Sequence, residues 1–270
     1  MSDAAQKRVR DPDTVDLTDD PSPEKKQKKA LTAIAKEFVC PITQELPINP
    51  VTAEDGKIYE ETAIREWFSK KDGEPTSPST GAVIGTRLLP APQARNTIEA
   101  LVESGAIDGE IAEAWKQKLT TETLVKEMRA KAEDGDAEAM WWLGVWYEYG
   151  ECGLTKDNAQ ARAWYERSAA ACDPRGTAMF GKCLLLGIGG PQDNVFGVMN
   201  VTQAAELGAD VGAYFLGYAF FRGAYGLPKD SVRARYWLKK VADGECAHKH
   251  LHQKNIEEAV EWLRELDQGV

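Results

Sequence analysis

The second half of the chain repeats itself at a fixed interval. The pairs that begin at Leu143, Phe180 and Leu216 each end in glycine and follow one another at intervals of 37 and 36 residues. A period of this length predicts a stack of similar helical units, each of which buries its apolar face against the next. This half is therefore predicted to be an all-α solenoid. In each unit an aspartate precedes a helical pattern: Asp157, Asp193 and Asp230.

Each unit is predicted to form a helix, a glycine-rich loop and a second helix, and helical patterns flank the array. Residues 111–131 would join the array to the first half, and residues 256–266 would cover its last unit. The predicted boundaries are a helical connector over 106–136, three repeats over 137–246 and a capping helix over 247–270. The period and the glycine pattern resemble Sel-1-like repeats, the longer-looped relatives of tetratricopeptide repeats, which implies a surface that binds another protein.

A run of aromatic residues, MWWLGVWYEY, begins the first repeat and has two interpretations. It forms either helix core or a patch that contacts a ligand. The spacing of Leu143, Trp146 and Tyr147 favours core. Trp141 and Trp142 are adjacent, so both cannot point inward equally, and one of them is a candidate surface contact.

The composition limits the class of protein. With 43% hydrophobic and 28% charged residues in 270, the chain has the composition of a soluble globular protein. No apolar run is long enough for a membrane span or a secretory signal, so an intracellular protein is expected. The five cysteines include no CxxC pair, which argues against disulfides and against a metal site made of cysteine alone.

Residues 1–33 are predicted to be a disordered charged tail, because they contain too few apolar residues to form a core. Acids and bases balance there, so the net charge of −10 falls on the folded part and binding to nucleic acid is not expected. Two basic clusters resemble a bipartite nuclear import signal, and the alternative is a solvated tail. We expect a nuclear or cytoplasmic location. The clusters consist of Lys7, Arg8, Arg10, Lys25, Lys26, Lys28 and Lys29.

A short alternating segment lies between the basic clusters. Val15 and Leu17 are followed by Asp19 and Asp20, which resembles a SUMO-interacting motif. Such a segment would add a strand to the edge of a partner's sheet while its acids meet a basic rim. SUMO is therefore a possible partner, although so short a pattern also recurs by chance.

Residues 38–105 predict a compact α+β domain. Asp55-Gly56 lies between two apolar segments and predicts a hairpin, and residues 61–70 carry apolar side chains at helical spacing. A last strand is predicted at Leu88-Leu89 and a further helix over 96–102. A domain this small usually needs a metal or a disulfide, and the sequence supplies neither.

The blocks FVCPITQELPINPV, GKIYEETAIREWF, SPSTG and LLPAPQARNTIEALV occur in this order and resemble a U-box, the metal-free relative of the RING finger. The resemblance covers residues 36–104, and we place the domain at 34–105. A RING finger would have paired metal ligands where Cys40 and Thr43, and Ser77 and Thr80, stand here. Hydroxyl groups are expected to hold these loops by hydrogen bonds instead.

The resemblance implies a ubiquitin ligase that docks a ubiquitin-conjugating enzyme charged with ubiquitin. Residues 36–104 contain no histidine and one cysteine, so the domain lacks its own nucleophile pair, and no cofactor or catalytic residue is expected. Cys40 could alternatively carry ubiquitin as a thioester, but its apolar setting favours a buried structural thiol. The repeats would hold the substrate or a chaperone-like partner.

The family's docking surface corresponds to Ile42 in the first loop, Trp67 on the central helix and Pro78 in the second loop. Simple loop or core packing is the alternative for each. Asn49 and Glu61 depart from the family pattern, so one internal salt bridge could be missing. Gly81 stands where some U-boxes have an arginine that restrains ubiquitin. This departure favours the alternative of a non-catalytic scaffold with a degenerate U-box.

The histidines at 248, 250 and 252 invite a metal interpretation. On a helix, alternate residues would diverge, and only Cys246 lies nearby to complete a tetrahedral set. No metal site is predicted.

Overall fold

The structure is a computed structural model of the chain and describes residues 30–31, 33–70 and 73–268. The chain forms two compact units that divide between Lys118 and Leu119. The first unit mixes strands and helices, whereas the second is helical. The predicted fold class, an α+β domain followed by an all-α repeat array, is confirmed.

A small antiparallel sheet lies at the centre of the first unit. Strand β1 (Pro50–Thr52) pairs with β2 (Ile58–Glu60) on one edge and with β3 (Leu89–Pro90) on the other. The predicted hairpin is confirmed: Gly56 has φ +74°, a conformation that glycine adopts without strain. Val51 lies opposite Tyr59, and both are buried.

Two helices complete the first unit, and a third begins there and continues into the second unit. Helix α1 (Glu61–Ser69) and α2 (Pro92–Glu103) bury Ile64 and Ile98, both fully inaccessible. Helix α3 (Gly109–Glu133) begins in the first unit, where the Trp115 indole N–H donates to the Pro47 carbonyl over 3.2 Å. The helices predicted over 61–70, 96–102 and 111–131 are thereby confirmed, with ends that differ by a few residues.

The second unit consists of helices that pack against their neighbours in sequence. Three buried apolar clusters lie among the described residues of this unit, and each joins side chains from helices that are consecutive in the stack. The helices are α4 (Ala137–Tyr149), α5 (Asn158–Ala170), α6 (Pro174–Leu186), α7 (Asn194–Glu206), α8 (Asp210–Arg222), α9 (Ser231–Ala242) and α10 (Gln253–Asp267).

The repeated glycines allow close contact between the two helices of each unit. A Cβ atom at Gly144 would lie 2.4 Å from the ring of Tyr165, and one at Gly217 would lie 2.6 Å from the Leu238 side chain. At Gly181 it would lie 2.8 Å from Val201, so the smaller valine takes the place of tyrosine in the second unit. The glycines therefore recur because the two helices of each repeat are too close at this position for any side chain larger than hydrogen.

The repeated aspartates begin the second helix of each unit. Asp157 accepts hydrogen bonds from the N–H groups of Ala159 and Gln160, and Asp230 accepts from Val232 and Arg233. Asp193 caps α7 through Phe196. These bonds satisfy N–H groups that a helix cannot pair internally.

Asp210 departs from this capping pattern. Asp136 and Asp173 cap α4 and α6. At α8 the capping position is Ala209, and the aspartate, Asp210, is the first residue of the helix. Asp210 is 6% exposed, and its Oδ2 accepts from the N–H groups of His250 and Leu251 at 2.7 and 2.9 Å. This carboxylate thus holds the segment that leads into α10.

The histidine segment is extended rather than helical, so the geometry assumed for it above was wrong. His248 forms a parallel bridge with Ala209, because the segment lies along the start of α8. His250 packs edge-on to Trp141 with ring centroids 4.8 Å apart, and His252 packs against Tyr149. Across the described ranges, no group of three or more His, Cys, Asp or Glu side chains is arranged to hold a metal.

None of the helices in the described part of the chain has the length and apolar character required to cross a membrane.

Candidate functional site

The first loop of the α+β unit is closed by its own backbone. The Cys40 N–H donates to the Glu45 carbonyl over 2.9 Å, and the Gln44 N–H returns a bond of 2.9 Å to the Cys40 carbonyl. The Thr43 hydroxyl accepts a longer bond of 3.4 Å from the Glu45 N–H. Cys40 is fully buried, which confirms the structural interpretation of its thiol.

The second loop is organised around the Ser77 hydroxyl. It donates to Asp55 Oδ2 over 2.5 Å and accepts from the N–H groups of Ser79 and Thr80 at 3.1 and 3.0 Å. The Thr80 hydroxyl accepts from the Ala82 N–H at 3.3 Å. The prediction that hydroxyls hold these loops is confirmed for the second loop, where Ser77, which is 1% exposed, contributes most. In the first loop, backbone hydrogen bonds take this role.

Asp55 and Tyr59 complete this network, and the sequence analysis missed both. Asp55 was assigned only to the hairpin, yet its carboxylate also accepts from the Tyr59 hydroxyl over 2.7 Å. Burial acts to raise the pKa of Asp55, but bonds from Ser77, Tyr59 and the Lys57 N–H hold it below its ordinary value. Burial and the bond to Asp55 raise the pKa of Tyr59 to about 12. At neutral pH the Asp55 carboxylate is therefore ionised and accepts hydrogen bonds from the neutral hydroxyl groups of Tyr59 and Ser77.

The three predicted docking residues lie around the two loops. Ile42 and Trp67 are half-buried and pack against the cluster of Cys40, Val51, Ala53, Tyr59 and Ile64. The Trp67 indole N–H donates to the Thr76 carbonyl over 2.9 Å, which ties α1 to the second loop two residues before Pro78. Pro78 is half-buried beside Ser77. Each side chain therefore combines a packed part with an accessible part.

The departures from the family pattern have local consequences. Asn49 accepts a hydrogen bond of 3.4 Å from the Arg95 guanidinium, so its contact is one with a neutral amide and not a salt bridge. Glu61 pairs with Arg65 on its own helix at 2.8 Å. Gly81 has φ +73° with open space around its Cα, so a side chain would fit there but would strain the backbone.

The two tryptophans considered as surface contacts, Trp141 and Trp142, differ in burial. Trp141 is 4% exposed and lies beneath the Arg175 guanidinium, 4.4 Å from its ring centroid. Of the two candidates, Trp141 is therefore not a surface contact, because the helix turns it into the core. Trp142 is half-buried and remains a candidate. Leu143 and Trp146 are buried, as their spacing predicted.

A buried polar network lies between α4, α5 and α6. Glu148 is 9% exposed and accepts from the Tyr165 hydroxyl at 2.8 Å and from the Lys182 ammonium at 2.6 Å. Burial and the adjacent carboxylate raise the pKa of Tyr165, so it stays a neutral donor. Donors and acceptors are matched within this network, which is the arrangement of a structural element.

Two predicted sites lie outside the described residues. These are the SUMO-binding segment, with Val15, Leu17, Asp19 and Asp20, and the import signal formed by Lys7, Arg8, Arg10, Lys25, Lys26, Lys28 and Lys29.

Comparison with known protein families gives two matches in this chain. The model of the U-box domain matches residues 34–106, and the model of the Sel1 repeat matches residues 137–171, 177–208, 211–245 and 251–265. The fourth segment falls within the region that the sequence analysis assigned to a capping helix. It includes part of α10, so the array ends in a partial repeat.

Relatives among curated proteins match short segments of this chain. A 64-residue segment is 45% identical to human "WD repeat, SAM and U-box domain-containing protein 1" and covers 24% of this chain and 13% of that protein. A 55-residue segment is 44% identical to a protein from Medicago truncatula named as a candidate E3 ubiquitin-protein ligase, LIN, and covers 20% of this chain and 4% of that one. The chain thus spans a small fraction of these relatives.

A solved structure aligns with part of the chain. A Sel1 repeat protein from Oxalobacter formigenes is 34% identical over 44% of this chain and 89% of that one, with a TM-score of 0.40. The two family matches agree with the two structural units described above. The chain therefore contains a U-box domain followed by Sel1 repeats.

Proposed function

We propose that this chain is a U-box ubiquitin ligase that docks a ubiquitin-conjugating enzyme and recruits a substrate through its repeats. The observation that carries the proposal is the U-box match over residues 34–106, within which both loops are closed by hydrogen bonds. Closed loops hold Ile42 and Pro78 in defined positions, as a docking surface requires. The ligase name of a relative that matches this segment supports the same activity.

The ligase would act by bringing reactants together. Cys40 is buried and is the one cysteine of the U-box segment, so it cannot reach a bound ubiquitin. The substrate lysine amine attacks the thioester carbonyl on the conjugating enzyme, an isopeptide bond forms, and the enzyme's cysteine leaves as a thiol. The U-box contributes position and restraint, which can lower the barrier of such a reaction by several kcal/mol.

The repeats would provide the substrate-binding half of the ligase. Repeat arrays offer extended surfaces on which each unit contacts its neighbours and adds to one continuous face. The half-buried Trp142 is one candidate contact on this surface. The partner is a protein substrate or a chaperone-like adaptor.

A reconstituted ubiquitin transfer assay tests the proposal. The full chain is incubated with activating enzyme, a panel of conjugating enzymes, ubiquitin and ATP, and self-modification is scored. We expect the native protein to form ubiquitin chains in this assay. In a binding titration, we expect Ile42→Ala to lose about 2 kcal/mol or more of the free energy of binding to the conjugating enzyme. Val83→Ala is the matched control, because Val83 is 62% exposed and belongs to the second loop.

The assay also separates the proposal from its alternative. A folded chain that forms no ubiquitin conjugates with any enzyme of the panel would be a scaffold with a degenerate U-box. Gly81 is the residue that favours this outcome. Equal binding by native chain and Ile42→Ala would instead place the docking surface elsewhere.

We further propose that the basic clusters direct the chain to the nucleus and that the segment around Val15 and Leu17 binds SUMO. Both proposals rest on sequence patterns alone. A fluorescent fusion without residues 1–29 tests the first, since continued nuclear entry would contradict it. A SUMO titration with Val15→Ala tests the second.

A further inference from the structure

The second unit contains a cavity that is lined by side chains of several repeats. It has a volume of about 450 Å³ and lies between side chains of α4, α6, α8 and α10. Tyrosine, tryptophan and histidine form much of its wall, together with one carboxylate at Glu258 and one ammonium at Lys182. A concave site with aromatic walls and few charges is the kind of place where proteins bind ligands.

Several aromatic rings form one side of the cavity. The ring of Trp262 on α10 lies 5.4 Å from Tyr214 and 5.2 Å from Tyr218, both on α8. Tyr225 extends the group, with its ring 6.1 Å from Tyr218. Tyr218, Tyr225 and Trp262 are half-buried, so each is packed yet partly accessible. Electron-rich faces of this kind attract cations.

A carboxylate lies beside these rings in a fixed position. Oε2 of Glu258 accepts from the Tyr214 hydroxyl over 2.5 Å. Oε1 is 3.9 Å from the Lys254 ammonium, whose side chain is 83% exposed, so this ion pair is weak. The Glu258 side chain is 32% exposed, and the Lys254 ammonium lies beyond hydrogen-bond distance of Oε1, so this oxygen can still accept from a ligand.

Of Lys182 and Glu258, the two charged side chains named in the cavity wall, Glu258 has the more distant counter-ion. Lys182 is paired with buried Glu148 at 2.6 Å, and Tyr165 donates to the same carboxylate. Burial lowers the pKa of His250, so its imidazole is neutral at physiological pH. His252 lies at the same end of the cavity against Tyr149.

We infer that this cavity receives a cationic side chain, an arginine, from an extended segment of a partner protein. A guanidinium can stack on the faces of Tyr218 and Trp262 while it donates to Glu258 Oε1. Arginine fits better than lysine, because its planar group satisfies both contacts at once and is less strongly hydrated. The inference rests on the proposed function, since it gives the chemistry of the partner that the repeats recruit.

The test uses short random peptides that share one fixed central residue. Four fluorescent pools carry arginine, lysine, citrulline or glutamate at that position, and binding to the full chain is measured by anisotropy. Citrulline has the shape of arginine without its charge. We expect the arginine pool to bind about tenfold more tightly than the citrulline pool.

Two glutamate variants on the same helix isolate the site. Glu258→Gln removes the charge but keeps an oxygen for the Tyr214 hydroxyl, and we expect it to reduce the arginine preference to about twofold. Glu257→Gln makes the same change of charge one residue away, at an exposed side chain outside the cavity lining, and should keep the preference. Tyr218→Leu, which removes an aromatic face but keeps apolar volume, should also weaken it. Circular dichroism checks that each variant is folded.

Three results would overturn the inference. The first is equal binding of the arginine and citrulline pools, and the second is tighter binding of the glutamate pool, which would make Lys182 the determinant. The third is equal loss in Glu257→Gln, which would show general acidity rather than a site. In each case self-modification by the U-box is measured separately, so failure of the arginine site and failure of the ligase proposal are distinguishable.

Discussion

At the scale of single residues, the U-box loops depend on a few polar atoms. Where a RING finger would place metal ligands, Ser77 contributes one hydroxyl that makes three hydrogen bonds, and Asp55 contributes one oxygen that accepts two. The sequence predicted hydroxyl groups at these positions because Thr43, Ser77 and Thr80 occupy the ligand spacing. It did not identify Asp55, since a hairpin aspartate has a sufficient local explanation.

Removing the Ser77 hydroxyl should destabilise the U-box. Ser77→Ala leaves the Ser79 and Thr80 N–H groups without their acceptor, and we expect a loss of about 1–3 kcal/mol in the free energy of unfolding. Urea unfolding, followed on U-box residues by nuclear magnetic resonance, measures the change. Ser79→Ala, at an exposed side chain of the same loop, is the control and should stay within about 0.5 kcal/mol of native.

The Asp55 carboxylate should make the U-box sensitive to acid. Its pKa in the folded chain is below the ordinary value of 3.8, so the folded state favours the ionised form. The corresponding stability is fully present above the ordinary pKa and is lost as pH falls through the folded pKa.

We therefore expect the difference in unfolding free energy between native chain and Asp55→Asn to be larger at about pH 6 than at about pH 3. The same resonance-detected urea unfolding at both pH values measures it. Asp134→Asn, at an exposed aspartate in the other unit, should show no such change for the U-box signals. A pH-independent difference would mean that the Asp55 charge does not contribute.

At the scale of helices and loops, the sequence predicted the repeats from two kinds of residue: glycines at close helix contacts and aspartates that cap helices. The glycines at 144, 181 and 217 have a common period because each meets a residue of the next helix. The aspartates have the same period because each caps a helix. Trp141 and Trp142 lie about 100° apart around the helix. Nearly every neighbour in their run is apolar, so the apolar pattern did not show which of the two faces the core.

The contact between Gly217 and Leu238 can be tested by a double-mutant cycle. Gly217→Ala should destabilise the repeats by about 1–3 kcal/mol through overpacking, although alanine ordinarily favours a helix. In the background of Leu238→Ala the added methyl group enters the space that the leucine left. There we expect the cost to shrink by about 1 kcal/mol or more, measured by urea unfolding. Additive effects of the two substitutions would argue against this contact.

At the scale of the whole molecule, the sequence predicted both units but not the cavity between the repeat helices. The U-box blocks and the repeat period are local patterns, so one chain reveals them. Tyr149, Lys182, Tyr218 and Glu258 lie in different repeats, and only the stacking of the helices brings them to one site. The last partial repeat was also missed, because its extended histidine segment replaces the glycine pattern of the others.

Substitutions in the U-box and in the repeats should affect ubiquitin transfer in different ways. Ile42→Ala should lower ubiquitin transfer to the chain itself and to a bound partner alike. Glu258→Gln should leave self-modification unchanged and lower only the modification of a carrier protein that bears an arginine peptide. Transfer to both acceptors, measured in one reaction, tests this expectation. Loss of self-modification in Glu258→Gln, with the fold intact, would contradict it.

The position of Asp210 makes the repeats unequal in order. Its carboxylate requires the N–H groups of His250 and Leu251, which only the final segment provides. If the third repeat were duplicated or moved toward the start of the array, Asp210 would be buried without those donors, at a cost of about 1–3 kcal/mol. An additional repeat should therefore be tolerated more readily before the third repeat than between the third repeat and the histidine segment.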